Sequence, residues 1–255
     1  MTETAPLHSQ LLPAEALDSA ARAELFALYR RHFDAADAGR FAADLAEKQQ
    51  VLTIRDAGGR LHGFSTLAQY TRIFDGLPLR VLFSGDTVMD EASWGQQALA
   101  FAWIRLAGQI QAQSDDPLYW LLISKGHRTY RYLPAFSLDY DPSPQRPTAP
   151  ERRRLMDFLA RDRFGEAYDA ARGVVSYPES HGHLRADLAE VPAIHAHLPE
   201  VAFFLERNPG YRRGEELVCL CPITADTLRP LARRAFLAAR REARAAAADL
   251  RVAQS

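Results

Sequence analysis

Apolar residues recur along the first third of the chain with two distinct periods. Leu17, Ala21, Leu25, Leu28 and Phe33 stand three to five apart within residues 13–33, which predicts a helix with Asp18 or Ser19 as its cap. Phe41 and Leu45, four apart, predict a second, short helix over 37–47. The period then shortens. VLTIRD reads as a strand, residues 57–60 as a hairpin turn, and LHGFSTLAQYTRIF as the partner strand, with Gly63 marking a bulge. LRVLFSGDTVM supplies a third strand, so the opening is helix, helix and antiparallel meander.

Downstream the pattern implies a crossover. Asp90, Glu91 and Ser93 suit a helix N-terminus, and Leu99, Trp103, Leu106 and Ile110 repeat at three and four, predicting a helix over 93–112. Pro117 introduces LYWLLIS, a nearly unbroken apolar run of the kind buried on both faces of a sheet. Strand, helix, strand in this order joins parallel neighbours, so a mixed sheet is expected. Residues 141–150, DPSPQRPTAP, hold four prolines and read as a linker. A helix over 151–172, a polar histidine-bearing stretch, the strand ELVCLCPI and a terminal helix near 227–250 follow. The expected division is a core at 1–140, the linker, and an extension at 151–255 whose apolar strand returns to complete the first sheet.

Composition narrows the class. The 255 residues are 47% hydrophobic and 25% charged, enough for one large core or two small ones. A net charge of −1 gives no electrostatic ground for nucleic acid. Arginine far outnumbers lysine, and the only lysines, Lys48 and Lys125, read as survivors of a compositional bias. The longest apolar run, 98–104, is far short of the roughly 20 residues that span a bilayer, so no membrane span is expected. The opening residues hold no basic segment followed by an apolar run, so no leader is expected. Cys219 and Cys221 on one strand would share a face, poorly placed for a mutual disulfide, which points to a reducing, cytoplasmic setting.

A reaction class is suggested only by residues 81–136. Free amides at a helix N-terminus bind anions such as the pyrophosphate of a thioester cofactor, and small residues there let the backbone approach. In SWGQQA, residues 93–98, Gly95 and Ala98 are small. The element order across 13–140 resembles the GNAT superfamily of N-acyltransferases, whose turn reads Arg/Gln-x-x-Gly-x-Gly/Ala. Here Trp94 falls where a basic residue is common and Gln97 where glycine is expected. The resemblance implies an α/β fold, a GNAT-like mixed sheet flanked by helices, with a C-terminal helical and strand extension. It also implies an acyl-CoA or acyl-carrier thioester as donor substrate, contacting Val88, Met89, Trp94, Gly95, Gln96, Gln97, Ala98 and Ser124.

Ser124 stands where the family often shows Asn, and Arg131 where it shows Tyr. Tyr130 and Tyr132 flank that position and are candidate general acids toward the leaving thiolate. The base for the acceptor's ammonium proton is sought among His62, Asp86 and Glu91. Asp86, in SGDTVM, sits where burial would raise a carboxylate's pKa. The acceptor implied is the amine of a small molecule.

The altered turn and long extension are similar to the long-chain N-acyl amino acid synthases and acyl-homoserine lactone synthases, which take acyl groups from an acyl carrier protein. Arg229, Arg233, Arg234, Arg240, Arg241 and Arg244 on the terminal helix would suit such an acidic partner. The alternative is a non-catalytic module of the same fold that binds a small molecule or a protein. The pairs His181/His183 and His195/His197 match no standard zinc spacing, with or without the cysteines, and no metal is expected. The sequence holds no Gly-x-Ser-x-Gly elbow, P-loop or dinucleotide Gly-x-Gly-x-x-Gly.

Overall fold

Strands β1 (His8–Pro13), β2 (Gln50–Arg55), β3 (Leu61–Phe74), β4 (Leu77–Met89), β5 (Leu118–Ser124), β6 (Tyr168–Asp169), β7 (Val174–Val175) and β8 (Glu216–Pro222) form one sheet. Across it they run β1–β2–β3–β4–β5–β8–β7–β6, every pair antiparallel except β4 with β5. The computed structural model describes residues 6–253. The first five residues, part of the stretch read for a leader, lie outside it.

The helices of nine or more residues among those described are α1 (Ser19–Arg30), α2 (Ala38–Ala46), α3 (Ala98–Gln111), α4 (Pro150–Phe164), α5 (Pro199–Arg207) and α6 (Pro230–Ala253). The chain is therefore α/β, a mixed sheet between helical layers. Strand alternation divides its core in two. Leu52, Ile54, Leu82, Trp120 and Leu122 meet α3 and α6 on one face. On the other, Val51 and Phe64 meet α1 and α2, while Val81, Phe83, Leu121, Val218 and Leu220 meet α4. On that second face a gap remains between α2 and α4. Among the described residues no helix is long and apolar enough to cross a membrane.

Three expectations need correction. Helix α3 starts at Ala98, not 93: the Asp90 carboxylate caps a single 3₁₀ turn at Glu91–Ser93 by accepting from the Ala92 N–H. The chain then bends through Gly95 (φ +90°) and Gln97 (φ +41°). The helix expected to reach 172 ends at Phe164, because Gly165 takes a positive φ of 54° and breaks it. The strand at His8–Pro13, paired with β2, was not expected, since HSQLLP has little alternation to mark it.

The proline-rich segment 141–150 lies against the sheet. The Asp141 N–H donates to the Leu220 carbonyl, and its buried carboxylate pairs with Arg146 and Arg152. Beyond it, β8 enters the sheet beside β5 with Leu220 opposite Leu121, so one sheet runs across residues on both sides of that segment.

Where α3 crosses α6, a Cβ built on Gly108 would stand 2.4 Å from the Phe236 carbonyl oxygen. Gly108→Ala gains helix propensity but forces two backbones apart. A net loss of about 1–3 kcal/mol is expected in denaturant titration, against a gain if the crossing simply relaxes.

Two irregularities in β4 position the site. Gly85 and Asp86 together oppose Thr66, between the pairs Leu67–Ser84 and Ser65–Thr87, which is a β-bulge that re-aims the Asp86 side chain. The parallel pairing with β5 runs only from Arg80–Leu118 to Ser84–Leu122, although β4 continues to Met89. The strands splay beyond Ser84. Its hydroxyl is held at the root of the splay by the indole N–H groups of Trp103 and Trp120, each at 3.0 Å.

Candidate functional site

Two clefts open at the splay. The larger, about 880 Å³, lies between the end of β4, the N-terminus of α3, the short helices His127–Tyr130 and Tyr132–Phe136, and the start of α6. Its walls are mostly apolar, including Val88, Leu99, Phe136, Leu184 and Leu188. The smaller, about 360 Å³, fills the gap between α2 and α4. Phe33, Thr87 and Thr129 line both, so the clefts meet beside β4.

In the larger cleft the structure assembles Val88, Met89, Trp94, Gly95, Gln97, Ala98 and Tyr132. Helix α3 begins there without a side-chain cap, so its first-turn amides are open to a ligand. Gln96 and Ser124 are not brought in: the Gln96 N–H donates to the Ser93 carbonyl, and the buried Ser124 hydroxyl donates to the Gly126 carbonyl. Positive charge at the cleft comes from elsewhere in the chain. Arg128 lies 4.6 Å over the Trp94 ring, and Arg131 and Arg229 also line the walls. The Met89 carbonyl accepts from the Trp94 indole at 2.9 Å and stands 3.0 Å from His32 Nε2. Since a strand residue's N–H and C=O share one edge, the Met89 N–H also faces away from β3, toward the splay.

The two tyrosines part company. Tyr130 is fully buried and donates to the Pro142 carbonyl at 2.8 Å; burial drives its phenol far above the ordinary range. Tyr132 lines the cleft, stacked on Phe136 at 5.9 Å, and burial raises its pKa as well, keeping the phenol protonated. Of the base candidates, His62 is occupied at both ring nitrogens, by Ser93 at 2.8 Å and Asp56 at 2.9 Å. Glu91 is exposed and lines neither cleft.

Asp86 lies in the smaller cleft, aimed there by the bulge. Burial, then Asp44, raises its pKa to about 7, while Lys125 and Lys48 oppose the shift. Among the described residues its carboxylate has no hydrogen bond. Around it stand Lys125 with Glu216 at 3.6 Å, and Lys48 with Asp44 at 2.7 Å. Burial pulls the Lys125 ammonium down, but Glu216, Tyr29 and Asp86 outweigh it and hold it above its ordinary range. Burial raises Glu216 despite Lys125. These four partners escaped the sequence reading. One signal was present: both lysines of an arginine-rich chain meet here.

Among the described residues no group of three or more metal-ligating side chains forms. Cys219 and Cys221 are both buried and free in β8.

No protein-family model matches the chain, and no curated protein matches it. Solved structures resemble it in part. One is a conserved protein of unknown function from Enterococcus faecalis V583, described as a probable N-acyltransferase: 14% identity, 49% of this chain and 31% of that one, TM-score 0.37. A second is a GNAT family N-acetyltransferase from Escherichia coli in complex with CoA: 18% identity, 54% of this chain and 73% of that one, TM-score 0.37. A third is the ribosomal-protein-S18-alanine N-acetyltransferase of Escherichia coli: 10% identity, 53% and 79%, TM-score 0.38. At these scores the likeness is partial.

Proposed function

We propose that the chain is an N-acyltransferase, moving an acyl group from a thioester donor, acyl-CoA or acyl carrier protein, to the amine of a small molecule. The observation that carries this reading is the meeting of an apolar cleft and a charged cleft beside the unpaired edge of β4. A donor needs the first and an acceptor the second, with the reacting atoms where they join. The two amides of a pantetheine arm suit the free edge at Gly85–Met89. Its phosphates suit the first turn of α3, with Arg128, Arg131 and Arg229 nearby.

In this reading Asp86 takes one proton from the acceptor's ammonium, and the amine attacks the thioester carbonyl. The Met89 N–H stabilises the oxyanion. As the new C–N bond forms and the C–S bond breaks, Tyr132 protonates the leaving sulfur and is reprotonated, through solvent, by the nitrogen's second proton. Products are an amide, a thiol and the proton on Asp86. Tyr132→Phe is expected to lower turnover at least tenfold. Tyr130→Phe should leave turnover unchanged and cost about 1 kcal/mol of stability through its lost buried bond. Equal turnover in both variants would remove Tyr132 as the acid.

On α6, Arg240 and Arg244 reach Asp115 at 3.7 and 3.1 Å, and Arg233 reaches Asp226 at 3.7 Å, which leaves fewer arginines for an acidic carrier protein. The apolar walls favour an acyl chain longer than acetyl. Thermal denaturation with free CoA, acetyl-CoA, a long-chain acyl-CoA and an acyl carrier protein tests the donor. A donor at 100 times its dissociation constant adds about 2.7 kcal/mol, a rise of several degrees. The rival, a non-catalytic binding module, is favoured by the bulk of Trp94 at the turn, and a chain that shifts with no donor would support it.

A further inference from the structure

We propose that the smaller cleft takes a compact primary amine with an apolar body and no carboxylate. This rests on the acyl-transfer reading only for the amine's fate; the recognition argument stands on the cleft itself.

The inner cluster holds three carboxylates, Asp44, Asp86 and Glu216, but only two ammonium groups, Lys48 and Lys125. With every group ionised it is one positive charge short. A ligand's ammonium would supply that charge. That ammonium finds an uncommitted partner in Asp86. A second buried group also lacks a partner. Among the described residues the Thr66 hydroxyl has none, and it lies 2.6 Å from where a Cβ on Gly85, in the cleft wall, would stand. Any side chain at position 85 would strike both Thr66 and the Lys48 stem, so only glycine lets the bulge pack this closely against them.

A ligand carboxylate would fare differently, because the two ammonium groups beside Asp86 are taken. Lys48 is held by the carboxylate and the carbonyl of Asp44, and Lys125 by Glu216 and the His181 carbonyl at 3.5 Å. Of the arginines in the wall, Arg163 is paired with Glu47 at 2.9 Å and Arg40 donates to the Ser180 carbonyl at 2.8 Å. Burying a carboxylate beside Asp86 without a free ammonium is costly, and three like charges are already present there.

The walls suit the rest of such a molecule. Tyr29, Phe33, Phe41, Phe83, Phe164 and Tyr177 surround the charges. Resident cations already use these faces: Lys125 lies 5.4 Å over Phe33, and Lys48 and Arg163 lie 5.6 and 4.8 Å over Phe83. The volume, about 360 Å³, is that of a small-molecule site.

The test is calorimetric titration of the full chain at pH 7.5 with phenethylamine and with phenylalanine, which differ by one carboxylate. Phenethylamine should bind at least tenfold more tightly. Asp86→Asn should weaken it tenfold or more while free CoA binds as before, which shows that the variant is folded. Equal or tighter phenylalanine binding, binding of neither probe, or phenethylamine binding unchanged in Asp86→Asn would overturn the proposal. CoA binding without amine binding would overturn this inference and leave acyl transfer standing. Amine binding without any thioester binding would do the reverse.

Discussion

Replacing Asp86 with Asn is expected to lower kcat/KM for acyl transfer by roughly 10²–10⁴, the usual worth of a placed base. The native rate should rise with pH through about 7, where the carboxylate loses its proton. The variant should lack that limb. Stability gives an independent readout. A folded pKa above the ordinary carboxylate value means that the folded state keeps a proton the unfolded chain releases between about pH 4 and 7. The native chain therefore loses stability as pH rises through that window. The groups facing Asp86 are Tyr29 from α1, Asp44 and Lys48 from α2 and its end, Lys125 after β5, and Glu216 from β8. All are shared by the variant, so the difference in melting temperature isolates position 86. It should move in favour of Asn from pH 5 to pH 8. A flat or opposite trend would show that burial does not burden this carboxylate.

Lys125→Met should be the most damaging single change outside the apolar core. Its ammonium offsets both Glu216 and Asp86 in a buried cluster, and methionine fills the volume without the charge. Breaking a buried pair by removing one partner costs about 3–5 kcal/mol, or roughly 10 °C for a chain of this size. The deficit should shrink as pH falls, because Glu216, already raised by burial, takes up a proton and no longer needs a counter-charge. Melting curves of both chains at pH 5 and pH 8 measure it. A deficit that stays constant would mean that packing, not charge, is what Lys125 supplies.

These two residues also show where the sequence was readable. The amphipathic helices announce themselves by their period, and the crossover strand and the apolar return strand by unbroken apolar runs that a doubly covered strand requires. LHGFSTLAQYTRIF and LYWLLIS needed no tertiary information. The start of α3 was misplaced because Asp90 and Glu91 satisfy a 3₁₀ turn as readily as an α-helix, and the acids alone do not distinguish them. The larger cleft was partly legible, since Val88 to Ala98 is one continuous stretch. Its cations were not, because Arg128, Arg131 and Arg229 arrive from other elements. The charged cleft was hidden for the same reason: Asp44, Asp86, Lys125 and Glu216 are far apart in sequence. Asp86 alone was singled out from the sequence, and the rarity of lysine was the one signal for its partners. A compact ammonium fits a buried pair where the longer, forked guanidinium does not, so a chain that otherwise uses arginine keeps lysine at these two positions.

The place of β8 has a consequence for how the protein is made. Strand β5, with Leu121 and Leu122 wholly buried in the finished molecule, leaves the ribosome long before the residues that cover its far side. Until residue 216 emerges, a nascent chain carries an apolar strand with one bare edge, the kind of surface that recruits other chains. Glu216 arrives with that strand, so the last charge of the smaller cleft and the last central strand are delivered together. A nascent chain halted in the proline-rich segment would present the incomplete sheet to chaperones. Quality control during synthesis thus has a defined vulnerable interval, set by the distance along the chain from β5 to β8.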